Sequence, residues 1–190
     1  MKPFIFIYLL SILMANDNLK ASKTAVFGAG CFWCVEAVFQ RLGGVQTVVP
    51  GYAGGHTESP TYESVCSGTT GHAEVAKITF DPNVITYTQL LGMFWKSHDP
   101  TTLNRQGNDV GTQYRSVIYY LDDEQKNSAE KSKSAVEESN LLAAPIVTEI
   151  EQLTKFYTAE DYHHNYYKLN PDHAYCRLII EPKLKKLFDK

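Results

Sequence analysis

The sequence predicts an α+β domain on a split βαβ core, with a mixed, mostly antiparallel sheet and helices packed on it. Short apolar strands and amphipathic helices follow one another as strand–helix–strand–strand–helix–strand over residues 24–121, which is the split pattern. No long linker or repeat interrupts the chain. Its 190 residues, 44% hydrophobic and 21% charged, suffice for one domain with a substantial core.

Each element has a local cause. Thr24 to Phe27 is a short apolar strand. A helix follows from Phe32 to about Leu42, with Phe32, Val35, Phe39 and Leu42 near one face, and Gly43-Gly44 stops it. Val45 to Tyr52 reads as a strand interrupted by Pro50, and a loop rich in Gly, Ser, Thr and Pro runs from Ala53 to about Gly71. Glu74 to Phe80 alternates as a strand does, and Asp81-Pro82-Asn83 turns it. Thr86 with Gln89 three residues on forms a capping box for a helix with Tyr87, Leu90, Leu91 and Phe94 inward.

Asn104 to Arg115 is a long polar stretch of the kind that is usually just solvated. Gln113 to Leu121 is β-rich, and Asp122 caps a polar helix to about Asn140. Ile146 to Ile150 is a further strand. Thr158 with Asp161 starts another helix, and Pro182 starts the last. The whole is a ferredoxin-like core with an extra C-terminal strand and helices.

The N-terminus differs from the rest. Lys2 precedes an uncharged apolar run from Phe4 to Met14. That is too short for a bilayer span, which takes about 20 residues, but it suits a secretory signal. Ala15 and Ala21 are candidate cleavage sites, although leucine stands at −3 of each. Residues 1–21 are therefore expected to export the chain to a periplasmic or extracellular space, leaving 22–190 as a single catalytic domain. If the apolar segment is not used, the protein is cytoplasmic. The formal net charge of −3, with no strongly basic run, argues against nucleic acid as a partner.

Gly28-Ala29-Gly30-Cys31-Phe32-Trp33-Cys34 is the stretch richest in chemistry. It sets Cys31 where a glycine-rich turn runs into a helix, with Cys34 one turn later. Helix starts and C-x-x-C pairs lower a cysteine pKa from about 8.5 to roughly 3.5–7.5, so Cys31 is expected to be an acidic, nucleophilic sulfur. Phe32 and Trp33 give it a hydrophobic wall. Two buried small hydrophobes would be the plain alternative, but it leaves the paired glycines and aromatics unexplained. Glu74 lies beside the His72 loop. Buried there, its carboxyl would hold a proton near neutral pH, and Tyr62 and Tyr114 could add O–H donors. Thiol, acid and phenols with a second thiol at hand fit reduction of a polar, oxygen-bearing group, the sulfur passing through a sulfenic acid to a disulfide.

Several motifs in order resemble peptide methionine sulfoxide reductases of the A class. They are Gly30-Cys31-Phe32-Trp33, Gly51-Tyr52-Ala53-Gly54-Gly55, Pro60-Thr61-Tyr62, Cys66-Ser67-Gly68, Gly71-His72-Ala73-Glu74, and Asp109 through Tyr114-Arg115-Ser116. Glu160 through Tyr166 and Tyr175-Cys176-Arg177 extend the likeness, which covers about residues 24–188.

The resemblance implies that Cys31 attacks the sulfur of an S-configured methionine sulfoxide, free or in protein, whose methyl group Phe32 and Trp33 hold. Glu74, Tyr62 and Tyr114 bind the sulfoxide oxygen, Glu74 delivers the proton, and Asp109 arranges the site. Repair of oxidised proteins follows. No bound cofactor is implied. Thioredoxin or an equivalent dithiol recycles the enzyme, which is expected to be a monomer without stable membrane association.

Cys34 stands where glycine is common in the family, and no cysteine follows Cys176. Side chains at i and i+3 of a helix lie about 5–6 Å apart at Cβ, against roughly 3.5–4.5 Å in a disulfide. A small adjustment closes that gap, so Cys34 is the candidate resolving thiol, with Cys176 the alternative. Cys66, like Cys176, is otherwise expected to be structural.

Two other classes compete. A thioredoxin-like dithiol oxidoreductase fits C-x-x-C between strand and helix, with Pro145 ahead of Ile146-Val147. The bulky Phe32-Trp33 spacer and the distance to Pro145 speak against it. A zinc-held interaction module would use Cys31, Cys34, Cys66 and Cys176. Structural zinc sites usually pair two short clusters, and only one pair stands here, so no metal is expected.

Overall fold

The protein is described by a computed structural model over residues 21–189. The signal-like segment, apart from Ala21, lies outside the described residues. Among these residues no helix is long and apolar enough to cross a membrane.

A six-stranded sheet organises the chain. Its core strands are β1 (Lys23–Ala29), β2 (Val45–Ala53), β3 (Ala73–Phe80) and β6 (Ser116–Tyr120). They lie in the order β6-β1-β3-β2, all antiparallel. β7 (Glu149–Gln152) adds parallel to β6, and β8 (Phe156–Thr158) adds antiparallel to β2. A small hairpin of β4 (Arg105–Gln106) and β5 (Asp109–Val110) stands apart. The split βαβ order is as expected from the sequence.

Strand alternation sorts the side chains into two faces. Ala25, Phe27, Ala76, Ile78 and Ile118 join the main core. This core also takes Val35, Val38 and Phe39 of α1 (Phe32–Phe39), and Leu90, Leu91 and Phe94 of α3 (Tyr87–Ser97). Val26, Val75, Val117 and Tyr119 face the other way into a smaller cluster. By the same alternation Glu74 shares the side of Ala76 and Ile78, under α1. Because the core strands are antiparallel, the ends of β1 and β2 and the beginnings of β3 and β6 meet at one edge of the sheet. The site forms there.

Several elements differ from expectation. α1 ends at Phe39, three residues early, because the chain tightens into i→i−3 bonds from Arg41 to Val38 and from Leu42 to Phe39. β2 runs straight through Pro50. The Pro50 carbonyl accepts from the Ala159 amide, so its missing N–H also faces the β8 side and takes no bond from the β2–β3 ladder. The loop 53–71 contains a short helix, α2 (Tyr62–Cys66), started by a Thr61–Ser64 capping box. The polar stretch 104–115 holds the β4–β5 hairpin and a 3-10 turn at Thr112–Tyr114, so the strand expected from Gln113 starts only at Ser116.

α3 and the polar helix α4 (Asp123–Glu138) begin at the expected caps, Thr86 and Asp122. β7 starts later than expected because the Val147 amide bonds the Pro100 carbonyl before pairing begins. No regular helix starts at Thr158. That residue is extended in β8, paired with Gly51, and only a 3-10 turn, Asp161–His163, and a four-residue α5 (Tyr166–Leu169) follow. The last helix carries Pro182 in its first turn, as expected. A π-helical stretch, Cys176–Ile180, runs directly into α6 (Glu181–Phe188), and this change of winding accommodates the proline's missing amide.

Candidate functional site

Cys31 is the N-cap residue of α1. Gly30 precedes it at φ +88°, where a Cβ would meet the Gln106 side chain at 2.7 Å. Glycine thus provides both the left-handed turn and the close approach of the hairpin. Cys31 is 8% exposed, a buried sulfur in a largely apolar surround.

Glu74, 1% exposed, reaches from β3 to the helix start, and its Oε2 accepts the Phe32 amide at 3.0 Å. Burial pushes the Glu74 carboxyl up to about 8, outweighing that hydrogen bond. It is therefore protonated at neutral pH, as the sequence suggested.

The thiols depart from expectation. Burial raises the Cys31 thiol, reinforced by its hydrogen bond with Cys34 and by the Glu74 charge, while the Trp33 amide pulls the other way and loses. The depressed cysteine is Cys34, lowered to about 7 chiefly by its hydrogen bond from Cys31, with Lys183 helping against burial. The helix start does not make Cys31 acidic because burial of the sulfur outweighs the Trp33 amide.

The aromatic wall is present. Phe32 is fully buried, with its ring 6.4 Å from Tyr62, 5.8 Å from Tyr52 and 4.8 Å from His163. Trp33 is half-buried and stacks on Tyr166 at 3.6 Å and 5°. Its indole N–H donates to His163 Nδ1 at 3.0 Å. Tyr62 and Tyr114 stand close enough for the Glu74 charge to act on both phenols, although burial is the main reason their pKa values rise.

Asp109 joins the site by another route. On β5, its Oδ2 accepts from Tyr175 Oη at 2.6 Å, and that Oη lies 3.7 Å from Cys34 Sγ. Cys176 is fully buried in the main core. Cys66 is exposed at the end of α2 and hydrogen-bonds Tyr62.

Three supporting residues carry the geometry without having been singled out as site residues. Glu160 accepts from Tyr52 Oη and from the Tyr62 amide, both at 2.8 Å. His163, wholly buried and held neutral with its pKa lowered to about 4, orients Trp33. Glu36 accepts the Asn165 and Tyr166 amides at 2.8 and 3.2 Å, fixing the segment that stacks on Trp33. The signal for Glu36 was available: a carboxylate flanked by Val35 and Ala37 on an otherwise apolar helix needs a partner.

A thiol at a helix start, a protonated carboxyl beside it and a second thiol within hydrogen-bonding reach define a thiol-dependent oxidoreductase. Comparison with known proteins gives the particular kind. The family described as peptide methionine sulfoxide reductase matches residues 23–190, and the chain belongs to that family. Peptide methionine sulfoxide reductase MsrA of Acinetobacter baumannii (strain SDF) is 58% identical over 88% of this chain and 95% of its own. The protein of the same name from Saccharolobus solfataricus is 54% identical over 86% and 92%.

Among solved structures, reduced Mxr1 from Saccharomyces cerevisiae superimposes with a TM-score of 0.76 at 36% identity, covering 82% of this chain and 89% of that one. Methionine sulfoxide reductase A of Corynebacterium diphtheriae gives 0.71 at 36% identity, covering 79% and 76%. Mxr1 has also been solved in complex with Trx2.

Proposed function

We propose that this protein reduces the S epimer of methionine sulfoxide, free or in proteins, with Cys31 as nucleophile and Glu74 as general acid. The observation that carries this is the buried, protonated Glu74 on the Phe32 amide, one residue from the Cys31 sulfur. A sulfoxide oxygen carries partial negative charge. Protonating it makes the sulfur electrophilic and the oxygen a leaving group. Tyr62 and Tyr114 add hydrogen bonds to that oxygen, and Phe32 and Trp33 enclose the methyl group.

The Cys31 proton passes to Cys34, and the Cys31 sulfur attacks. The S–O bond of the sulfoxide breaks as Glu74 protonates the oxygen. The hydroxide so formed adds to the Cys31 sulfur. The new bond between Cys31 and the methionine sulfur breaks with its electron pair leaving on methionine, and Cys31 is left as a sulfenic acid. Cys34 then attacks the Cys31 sulfur, water departs, and a Cys31–Cys34 disulfide remains. The hydrogen bond between the two thiols supports Cys34 over Cys176, which lies in the core. Thioredoxin reduces the disulfide, in keeping with the Mxr1–Trx2 complex. The reductase domain is taken as residues 22–190 and as a monomer. Lys2 and the apolar run Phe4 to Met14 support export by an N-terminal signal over residues 1–21.

The test couples NADPH oxidation to turnover through thioredoxin and its reductase, with each sulfoxide epimer in turn. Turnover of the S epimer alone supports the reading, and equal turnover of the R epimer sinks it.

A further inference from the structure

The route by which the second thiol loses its proton lies outside the sulfoxide chemistry. A cavity of about 310 Å³ opens beside Cys31 and Cys34, on the side of the β4–β5 hairpin and the C-terminal helix. Asp109, Tyr175, Ile179 and Lys183 also line it. None of the residues assigned to the methyl group or the sulfoxide oxygen borders this cavity.

Three atoms form a chain along its wall. Cys34 Sγ lies 3.7 Å from Tyr175 Oη, and Tyr175 Oη donates to Asp109 Oδ2 at 2.6 Å. A phenol has one proton. With that proton on the Asp109 side, the sulfur–phenol contact is made by Cys34 S–H donating to Tyr175, so the donors run in one direction, from thiol to carboxylate. Asp109 is half-exposed, so a proton arriving there can exchange with water. Lys183, half-buried on α6, lines the same cavity. It provides the positive charge that a thiolate at Cys34 needs.

We propose that Tyr175 and Lys183 are positioning residues for the resolving step: Tyr175 conducts the Cys34 proton to Asp109, and Lys183 stabilises the thiolate left behind. This rests on Cys34 being the resolving thiol. In the step, Tyr175 takes the thiol proton as it gives its own to the Asp109 carboxylate. The Cys34 electron pair forms the S–S bond to Cys31, and the S–O bond of the sulfenic acid breaks. The departing hydroxide takes up a proton from Asp109 and leaves as water, restoring the carboxylate. A thiol cannot perform this attack, since only the thiolate is nucleophilic.

The groups acting on Cys34 are few. Cys31 and Lys183 favour its thiolate, and Asp109 opposes it. The charge on Cys34 also bears on Glu74 and on the buried Cys176. Lys183 is thus the cation acting on the sulfur, while the carboxylates beyond Tyr175 and on β3 act against it.

The experiment follows Cys31 sulfenic acid with a trapping reagent, and disulfide formation by thiol counting, after one turnover with excess sulfoxide and no reductant. It is run from pH 5.5 to 9 with wild type, Tyr175→Phe, Lys183→Met, Lys183→Arg and Cys34→Ser. Relative to the methionine burst, disulfide closure should slow about 10-fold or more in Tyr175→Phe and Lys183→Met. Its rise with pH should move to the alkaline side, and Lys183→Arg should restore it. Tyr175→Phe and Lys183→Met closing at the wild-type rate with an unshifted profile would overturn the proposal while leaving Cys34 as resolver. Closure in Cys34→Ser would instead overturn the assignment of the resolving thiol, and the proposal with it.

Discussion

Glu74 Oε2 and the Phe32 amide are 3.0 Å apart, so the carboxyl of a sheet residue occupies the first N–H of the helix that begins after Cys31. Such an amide is one of four left unpaired at any helix start. Here it fixes the acid one residue from the sulfur.

The acid should be visible as a pH limit. Burial raises Glu74 to about 8, and the chemical step needs its proton, so the methionine burst should fall as pH rises through about 8. Ionisation of Cys31 acts in the opposite sense, and Glu74→Gln separates the two. Its amide still donates to the sulfoxide oxygen but gives up no proton, so the alkaline fall should vanish. Glu74→Ala should be slower still, by about 10²–10⁴-fold relative to wild type. A Glu74→Ala burst at the wild-type rate would move proton delivery to Tyr62 or Tyr114.

Cys31→Ser should release no methionine at all. Serine at this position presents no anionic sulfur nucleophile near neutral pH. The near-ultraviolet spectrum should stay that of the wild type, because the site is 8% exposed and the substitution conserves volume closely.

Cys34→Ser should release one equivalent of methionine and then stop. Cys31 is the sulfur that attacks the sulfoxide, so one turnover survives, with a slower burst because Cys34 no longer takes the Cys31 proton. Recycling, in contrast, needs a second thiol. Comparing methionine released per enzyme with and without thioredoxin checks this. Normal cycling that is lost only when Cys176→Ser is added would assign resolution to Cys176.

Glu160→Ala should weaken the site without touching the reacting atoms. It removes the acceptor of two 2.8 Å hydrogen bonds, from Tyr52 and from the amide that starts α2. Stability should drop by about 1–3 kcal/mol, and KM for a sulfoxide peptide should rise as Tyr62 loses its anchor. Urea unfolding and steady-state kinetics measure the two effects. Unchanged values for both would show that α2 holds Tyr62 by itself.

Acid should destabilise the fold through two histidines. Burial lowers both His98 and His163 to about 4, against about 6.5 in an unfolded chain. The unfolded state therefore takes up protons first as pH falls. The stability these neutral rings contribute is complete above about 6.5 and lost towards 4. The urea midpoint should decline between pH 7.5 and 4.5, and less steeply in His98→Asn. A flat midpoint over that range would contradict this.

The sequence by itself determined the elements whose cause is local. Thr86 with Gln89 and Asp122 cap α3 and α4 as read, because capping is settled within one turn of chain. The order of strands and helices pointed to the split core, which the sheet order β6-β1-β3-β2 bears out. Cys31, Phe32, Trp33 and Glu74 were legible because their residue types in that setting have few other uses.

Tertiary structure decided the rest, where the deciding partner is far away in sequence. Thr158 looks like a helix start but pairs with Gly51, over a hundred residues earlier. Helix propensity cannot compete with a ladder that satisfies the same backbone groups. The acidity of the thiols went the same way. A helix start alone favours a Cys31 thiolate, but burial raises the sulfur and outweighs the Trp33 amide. Cys34 becomes the acidic thiol through Cys31 and Lys183, and Tyr175 and Asp109 reach it from elements distant in the chain. A pKa is set by the charges and solvent around a group in space, which local spacing does not contain.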